Sequence, residues 1–177
     1  MPRLVLINGA PGSGKSTVAS ILSARQRMAL ALDLDLIKHS LGCWEDDPVA
    51  AGTRARRLAL AQIDEQLRFG SDVFVGQYVA RPGFIEELQN VAVRRSASFH
   101  EFVLDVGVEQ LERRLMFRVE NPSRLEHEIN NRLVGPADAA ELIRSLGGLR
   151  AARPDAVWIN ANGTLEATIS AIEVAIG

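Results

Sequence analysis

Residues 9–16 read Gly9, Ala10, Pro11, Gly12, Ser13, Gly14, Lys15 and Ser16, with Thr17 following, a complete run of the form G-x-x-x-x-G-K-[ST]. The glycines allow a tight backbone curl in which several N–H groups point at one polyphosphate. Lys15 can reach the outer phosphates as a point charge, and the Ser16 hydroxyl can ligate a divalent cation. A helix opening at this point adds its positive N-terminal end. The flanks suit this reading. Leu4, Val5, Leu6 and Ile7 form a short apolar run, as expected of a strand inside a parallel sheet. Beyond the loop, Val18, Ile21 and Leu22 recur at helical spacing.

The rest of the chain alternates strand and helix patterns, which argues for a three-layer α/β fold. Strands are expected over 3–8, 28–32, 73–75, 99–106 and 156–159. A first helix is expected over 15–26. A short one carries Leu34, Ile37 and Leu41 on one face and is closed by Gly42. Asp47-Pro48 supplies a cap and a first-turn proline for a long helix to about 69, ended by Gly70. Further helices are expected over 82–95 and 108–119. Ser123 and Glu126 form a capping box for another. A helix from Pro136 is expected to end at Gly147-Gly148, and Thr164 to cap the last one.

The 177 residues form a single domain over 1–177, long enough to bury a core. Hydrophobic residues make up 47% and charged residues 24%, with a net charge of −2, which weighs against bulk nucleic-acid or acidic-lipid binding. Cys43 is the only cysteine, so no internal disulfide can form, in keeping with a reducing cytoplasm. No apolar stretch approaches the ~20 residues that cross a bilayer. The chain enters its first strand within three residues, leaving no room for a signal peptide. The three histidines and one cysteine lack the spacing of a zinc site.

In an open parallel sheet, ligands gather at the carboxyl ends of the strands. The second strand ends in Asp33-Leu34-Asp35, with Lys38 one turn on. A carboxylate here lies across the cleft from the loop. It can accept a proton from a substrate hydroxyl or hold a Mg²⁺-bound water. Asp35 is the first choice for base and for water-mediated metal contact, with Asp33 in reserve. One of the two is expected to cap the helix. Lys38 either meets substrate or pairs with Asp35 at i, i+3.

The third strand ends in Gly76-Gln77-Tyr78, with Arg81 after it. Gln77 can orient a water or substrate group, and Arg81 can clamp an anionic one. The helix after the fourth strand carries Arg113, Arg114 and Arg118, and Arg124 and Arg132 come from the next segment. Arginines on a mobile flap can neutralise the charge that phosphoryl transfer spreads, and Arg114 and Arg118, four apart, are the chosen pair. Asn162, in the turn after the last strand, can border a nucleotide base. Trp44, Tyr78 and Phe84 are candidates for lining an acceptor pocket, and His39 is expected at the surface.

With these features in place, the chain resembles the P-loop kinases of the small-molecule and nucleotide kinase group. Within it, the chain is similar to chloramphenicol phosphotransferase-like and other short AAA-type ATP-binding kinases. The segment from Asp33 to Lys38 resembles their strand-two signature, in which an aspartate is the proposed base. The run from Gly9 to Thr17 also resembles the loop of polynucleotide kinases. The resemblance implies a five-stranded parallel sheet in the order 2-3-1-4-5, an acceptor lobe over about 36–70 and an arginine lid over about 114–133. It further implies in-line transfer of the γ-phosphoryl group of ATP, with Mg²⁺, to a hydroxyl of a small molecule. Many relatives place an acidic residue after the third strand, where this chain has Gly76-Gln77, so the magnesium shell falls to Asp33 or Asp35. Two alternatives stand beside this reading: a kinase of polynucleotide ends or nucleotides, and an ATP-binding switch or partner protein with little transfer. The acceptor, the choice between ATP and GTP, and the oligomeric state are not encoded legibly.

Overall fold

The computed structural model describes residues 1–121 and 134–177. The arginines at 124 and 132, the capping box at 123–126 and most of the expected lid lie outside the described residues. Strand β1 (Arg3–Gly9) sits at the centre of one parallel sheet, flanked by β3 (Val73–Gln77) and β4 (Ser98–Asp105). The edges are β2 (Leu30–Leu32), beside β3, and β5 (Val157–Asn160), beside β4, giving the order 2-3-1-4-5.

Between them lie α1 (Lys15–Ala24), α2 (Leu34–His39), α3 (Pro48–Arg68), α4 (Pro82–Arg94) and α5 (Val108–Glu120). After the 3₁₀ turn Pro136–Asp138 come α6 (Ala139–Gly147), α7 (Leu149–Ala152) and, past β5, α8 (Leu165–Ile176). Right-handed crossovers put α1, which leads from β1 toward one edge, on the face opposite α3 and α4, which lead back. α8 packs beside α1, and α3 beside α4, so both faces of the sheet are covered. Leu4, Val5, Leu6 and Ile7 are fully buried, which explains why β1 reads as an unbroken apolar run rather than an alternating one.

Several boundaries depart from the sequence expectation. β2 begins at Leu30 rather than at 28, because Met28 takes a left-handed φ of 59° in the turn before it. α2 ends at His39 with Ser40 as C-cap, leaving Leu41 and Gly42 outside. β3 runs on past Val75 to Gln77. The glycine pair at 147–148 does not end the helical path. Gly148 keeps right-handed helical angles and α7 follows directly. The caps at Asp47 and Thr164 are as expected. Their side chains accept from the N–H groups of Ala50 at 2.9 Å and Ala167 at 3.2 Å.

Gly76 fixes how closely α1 approaches the sheet. A β-carbon there would stand 3.0 Å from both the Lys15 carbonyl oxygen and the Ser16 α-carbon. These are backbone atoms and cannot swing aside. The first turn of α1 therefore rests directly on β3. Gly76→Ala is expected to push that turn away, cost about 1–3 kcal/mol as overpacking does, and weaken nucleotide binding. Chemical denaturation and nucleotide titration of the variant check this.

Candidate active site

The loop from Gly9 to Lys15 leaves the carboxyl end of the central strand and curls into α1. Gly14 caps α1 with a φ of 97° and no side-chain bond, so the first N–H groups of the helix have no side-chain partner. Gly12, at φ 86°, packs against α5. A β-carbon there would come within 2.9 Å of Leu115 Cδ2. The loop is thus seated on α5 from one side and on β3 from the other.

Asp33 and Asp35 divide their work. Asp33 Oδ1 accepts from the Asp35 N–H at 2.9 Å, capping α2, and Asp33 Oδ2 accepts from the Ser16 hydroxyl at 2.9 Å. Both carboxylate oxygens are therefore committed. The Asp35 carboxylate is half-buried and makes no hydrogen bond or ion pair among the described residues. Lys15 is half-buried, and burial pulls its ammonium pKa below the ordinary lysine value. Asp35 and then Asp33 oppose this by attraction, while Arg118 adds to it by repulsion. Two carboxylates and an arginine therefore lie close enough to act on the ammonium group.

The arginines of α5 differ in use. Arg114 donates to the Ser13 carbonyl at 3.0 Å and to the Ala161 carbonyl at 2.6 Å. One planar guanidinium thus joins the phosphate loop to the turn after β5. Arg118 donates to the Val134 carbonyl at 3.3 Å. Burial disfavours the charge on both. Arg113 instead turns outward to Gln110.

Asn162 is held in its own turn. Its Oδ1 accepts from the Gly107 N–H at 2.7 Å and its Nδ2 donates to Asn160 at 2.9 Å. It meets the phosphate loop only indirectly, through the neighbouring Ala161 and Arg114.

On the other side of the loop, Gln77 continues β3 past Gly76. Because side chains alternate across a strand, it points to the face of α3 and α4. Its Oε1 is buried with no partner among the described residues. Ser13 Oγ and His39 Nδ1 are in the same condition, and the fourth such atom, Glu101 Oε1, lies away from the strand ends. Unpaired buried polar atoms are thus concentrated around the loop and the β2–β3 ends, where a ligand would supply partners.

The other candidates differ in what they touch. Lys38 does not pair with Asp35. Its ammonium lies 4.8 Å from the centroid of the Trp44 ring. His39 is not a bare surface residue but packs on Trp44, ring centroids 4.6 Å apart. Tyr78 is turned aside, with its hydroxyl bonded to Ser145 at 2.7 Å. Phe84 is only 6% exposed and belongs to the core, not to an open pocket wall. Arg81 caps α4 and is exposed, with no ion pair among the described residues.

Asn8 escaped the sequence reading. It is fully buried. Its Nδ2 donates to the Val79 carbonyl at 2.8 Å, and its Oδ1 accepts from the Val79 N–H at 2.9 Å and the Gly9 N–H at 2.8 Å. It locks the exit of β3 to the entry of the phosphate loop. The available signal was a polar residue closing an apolar, sheet-core run.

Residues 5–134 match a protein family described as the AAA domain. No curated protein matches the chain in sequence. Solved structures share the fold. A gluconokinase from Sinorhizobium meliloti is 15% identical, with 99% of this chain and 95% of that one covered and a TM-score of 0.60. A tunicamycin resistance protein of Deinococcus radiodurans is 17% identical over 100% and 96%, with a TM-score of 0.66. A Chloroflexus aurantiacus protein with a provisional kinase description is 14% identical over 99% and 96%, with a TM-score of 0.67.

Proposed function

The chain belongs to the AAA domain family and has the fold of the P-loop kinases, and from that premise we propose that it is an ATP-dependent phosphotransferase acting on a hydroxyl of a small molecule. The observation that carries this reading is the division between the two aspartates. Asp33 is spent on Ser16 and the α2 cap. Asp35 is left unpartnered beside Lys15.

The nucleotide's polyphosphate would lie in the curl of residues 9–17, on the N–H groups opening α1, with Lys15 at its outer end. The residues present suit Mg²⁺. The Ser16 hydroxyl donates a hydrogen bond to Asp33, which leaves its lone pairs for a hard cation, and Asp35 offers oxygen to bound waters. When bound, the ion would offset the charge of the outer phosphates.

Asp35 takes the proton of the acceptor hydroxyl. The hydroxyl oxygen forms its bond to the γ-phosphorus as the bond to the bridging oxygen breaks, releasing ADP. Arg118 offsets the charge spread over the moving group. Arg114 holds the loop and the turn after β5 in register, with Asn162 shaping the edge where a base would sit. The acceptor enters over the lobe of about 36–70.

The test is ADP release from Mg-ATP with and without a panel of hydroxyl acceptors. Acceptor-dependent release supports the kinase. Nucleotide binding with no turnover on any acceptor would favour the ATP-binding switch.

A further inference from the structure

The cations around the acceptor side of the cleft are not paired with carboxylates. Every ion pair among the described residues lies elsewhere. One joins the starts of β1 and β3, and others lie between α1 and α8. The rest join the far ends of α3 and α4 or surround β4.

Lys38, Arg56 and Arg81 form none. Two of the three are held in place by aromatic rings instead. Lys38 lies over Trp44 at 4.8 Å, and the Arg56 guanidinium over Phe84 at 5.6 Å. Phe84 sits in the first turn of α4, three residues after Arg81, so Arg81 and the ring under Arg56 both belong to the start of α4, after β3. That helix start has no side-chain cap and no acidic residue in its first turn, so its positive end adds to theirs. Lys38 follows Asp35 by three positions on α2, on the same helix face. The nearby carboxylates of Glu45, Asp46 and Asp47 are exposed and reach none of the three cations. Asp47 is engaged in capping α3.

We propose that the acceptor is a small hydroxy compound bearing a carboxylate or phosphate, with that group held by Lys38, Arg81 and Arg56 while a hydroxyl faces Asp35. This rests on the phosphotransferase reading above and narrows it. Cations fixed by stacking rather than by salt bridges keep their charge available for an incoming anion. They also lose little freedom on meeting it.

The experiment uses the full chain, Mg-ATP and matched acceptors: glycerol, glycerate and glycerol phosphate, then a hexose, its aldonic acid and its monophosphate. A short oligonucleotide with a 5′-hydroxyl completes the set. An anionic member is expected to exceed its neutral counterpart in kcat/KM, with the advantage shrinking in 0.5 M salt, roughly as screening of exposed charge requires. In Lys38→Met and in Arg81→Gln the ratio of anionic to neutral kcat/KM is expected to fall about tenfold to a hundredfold, the range of one charged hydrogen bond. Comparing the carboxylate and phosphate members identifies which anion the site takes.

A neutral acceptor used as well as its anionic partner overturns the proposal. So does an unchanged ratio in both variants, or the oligonucleotide as best acceptor. Turnover on no acceptor, with nucleotide still bound, overturns the phosphotransferase reading itself and this proposal with it.

Discussion

Asp35→Asn is expected to bind nucleotide with its parent's affinity and to transfer phosphoryl groups about 10²–10⁴-fold more slowly, the usual loss when a general base is removed. The structure separates the two effects. Asp33 bonds Ser16 and caps α2, so the local fold around the Ser16 hydroxyl does not depend on the Asp35 side chain. Asparagine keeps the shape and leaves the backbone N–H that Asp33 accepts. What it loses is the ability to take a proton. Calorimetric titration with Mg-ATP and steady-state turnover on an active acceptor read the two quantities apart. Equal loss of binding and turnover would place Asp35 in nucleotide binding instead. Asp33→Asn is the natural contrast, because it weakens the acceptor of the Ser16 hydroxyl.

Lys15→Met is expected to fold and to match or exceed the thermal stability of its parent without nucleotide, yet gain nothing when nucleotide is added. Burial outweighs the pull of Asp35 and Asp33 on the ammonium, so its charge is held at a cost in the empty loop. Methionine removes the charge and keeps the length of the stem. For the parent, nucleotide at a hundred times its Kd adds about 2.7 kcal/mol. At about 2–4 °C per kcal/mol for a chain of this size, the melting temperature should rise by about 5–11 °C. Paired thermal melts of parent and variant, with and without Mg-ATP, give both results. A variant that melts well below its parent without nucleotide would mean that the lysine stabilises the empty loop.

Much of this was written plainly in the chain. The glycine-lysine-serine run, the apolar strand before it and the alternation after it led directly to the phosphate loop and the three-layer α/β class, because backbone curl and burial are local constraints. The sheet order came only through the family resemblance that those motifs carry. The pairing of the two aspartates was half legible. Helix-start chemistry says that one of them caps, and the start of α2 at Leu34 makes it Asp33; only the fold brings the same carboxylate to Ser16.

The partners of Arg114, Tyr78 and Lys38 were not legible. Each depends on an atom distant in sequence or on a ring met in the lobe: the Ser13 and Ala161 carbonyls, the Ser145 hydroxyl, and Trp44. Gly76 shows the same limit from another side. Its lack of a side chain read as a missing acidic group, whereas the fold requires that space for the first turn of α1.

The two hydrogen bonds of Arg114 have a consequence for evolution and engineering alike. The turn following β5 sits far along the chain from residue 13, yet a single side chain fastens both. Changes to the length or composition of that distant turn will therefore be transmitted to the grip on phosphate. Remodelling that turn cannot be done without moving the loop to which Arg114 ties it.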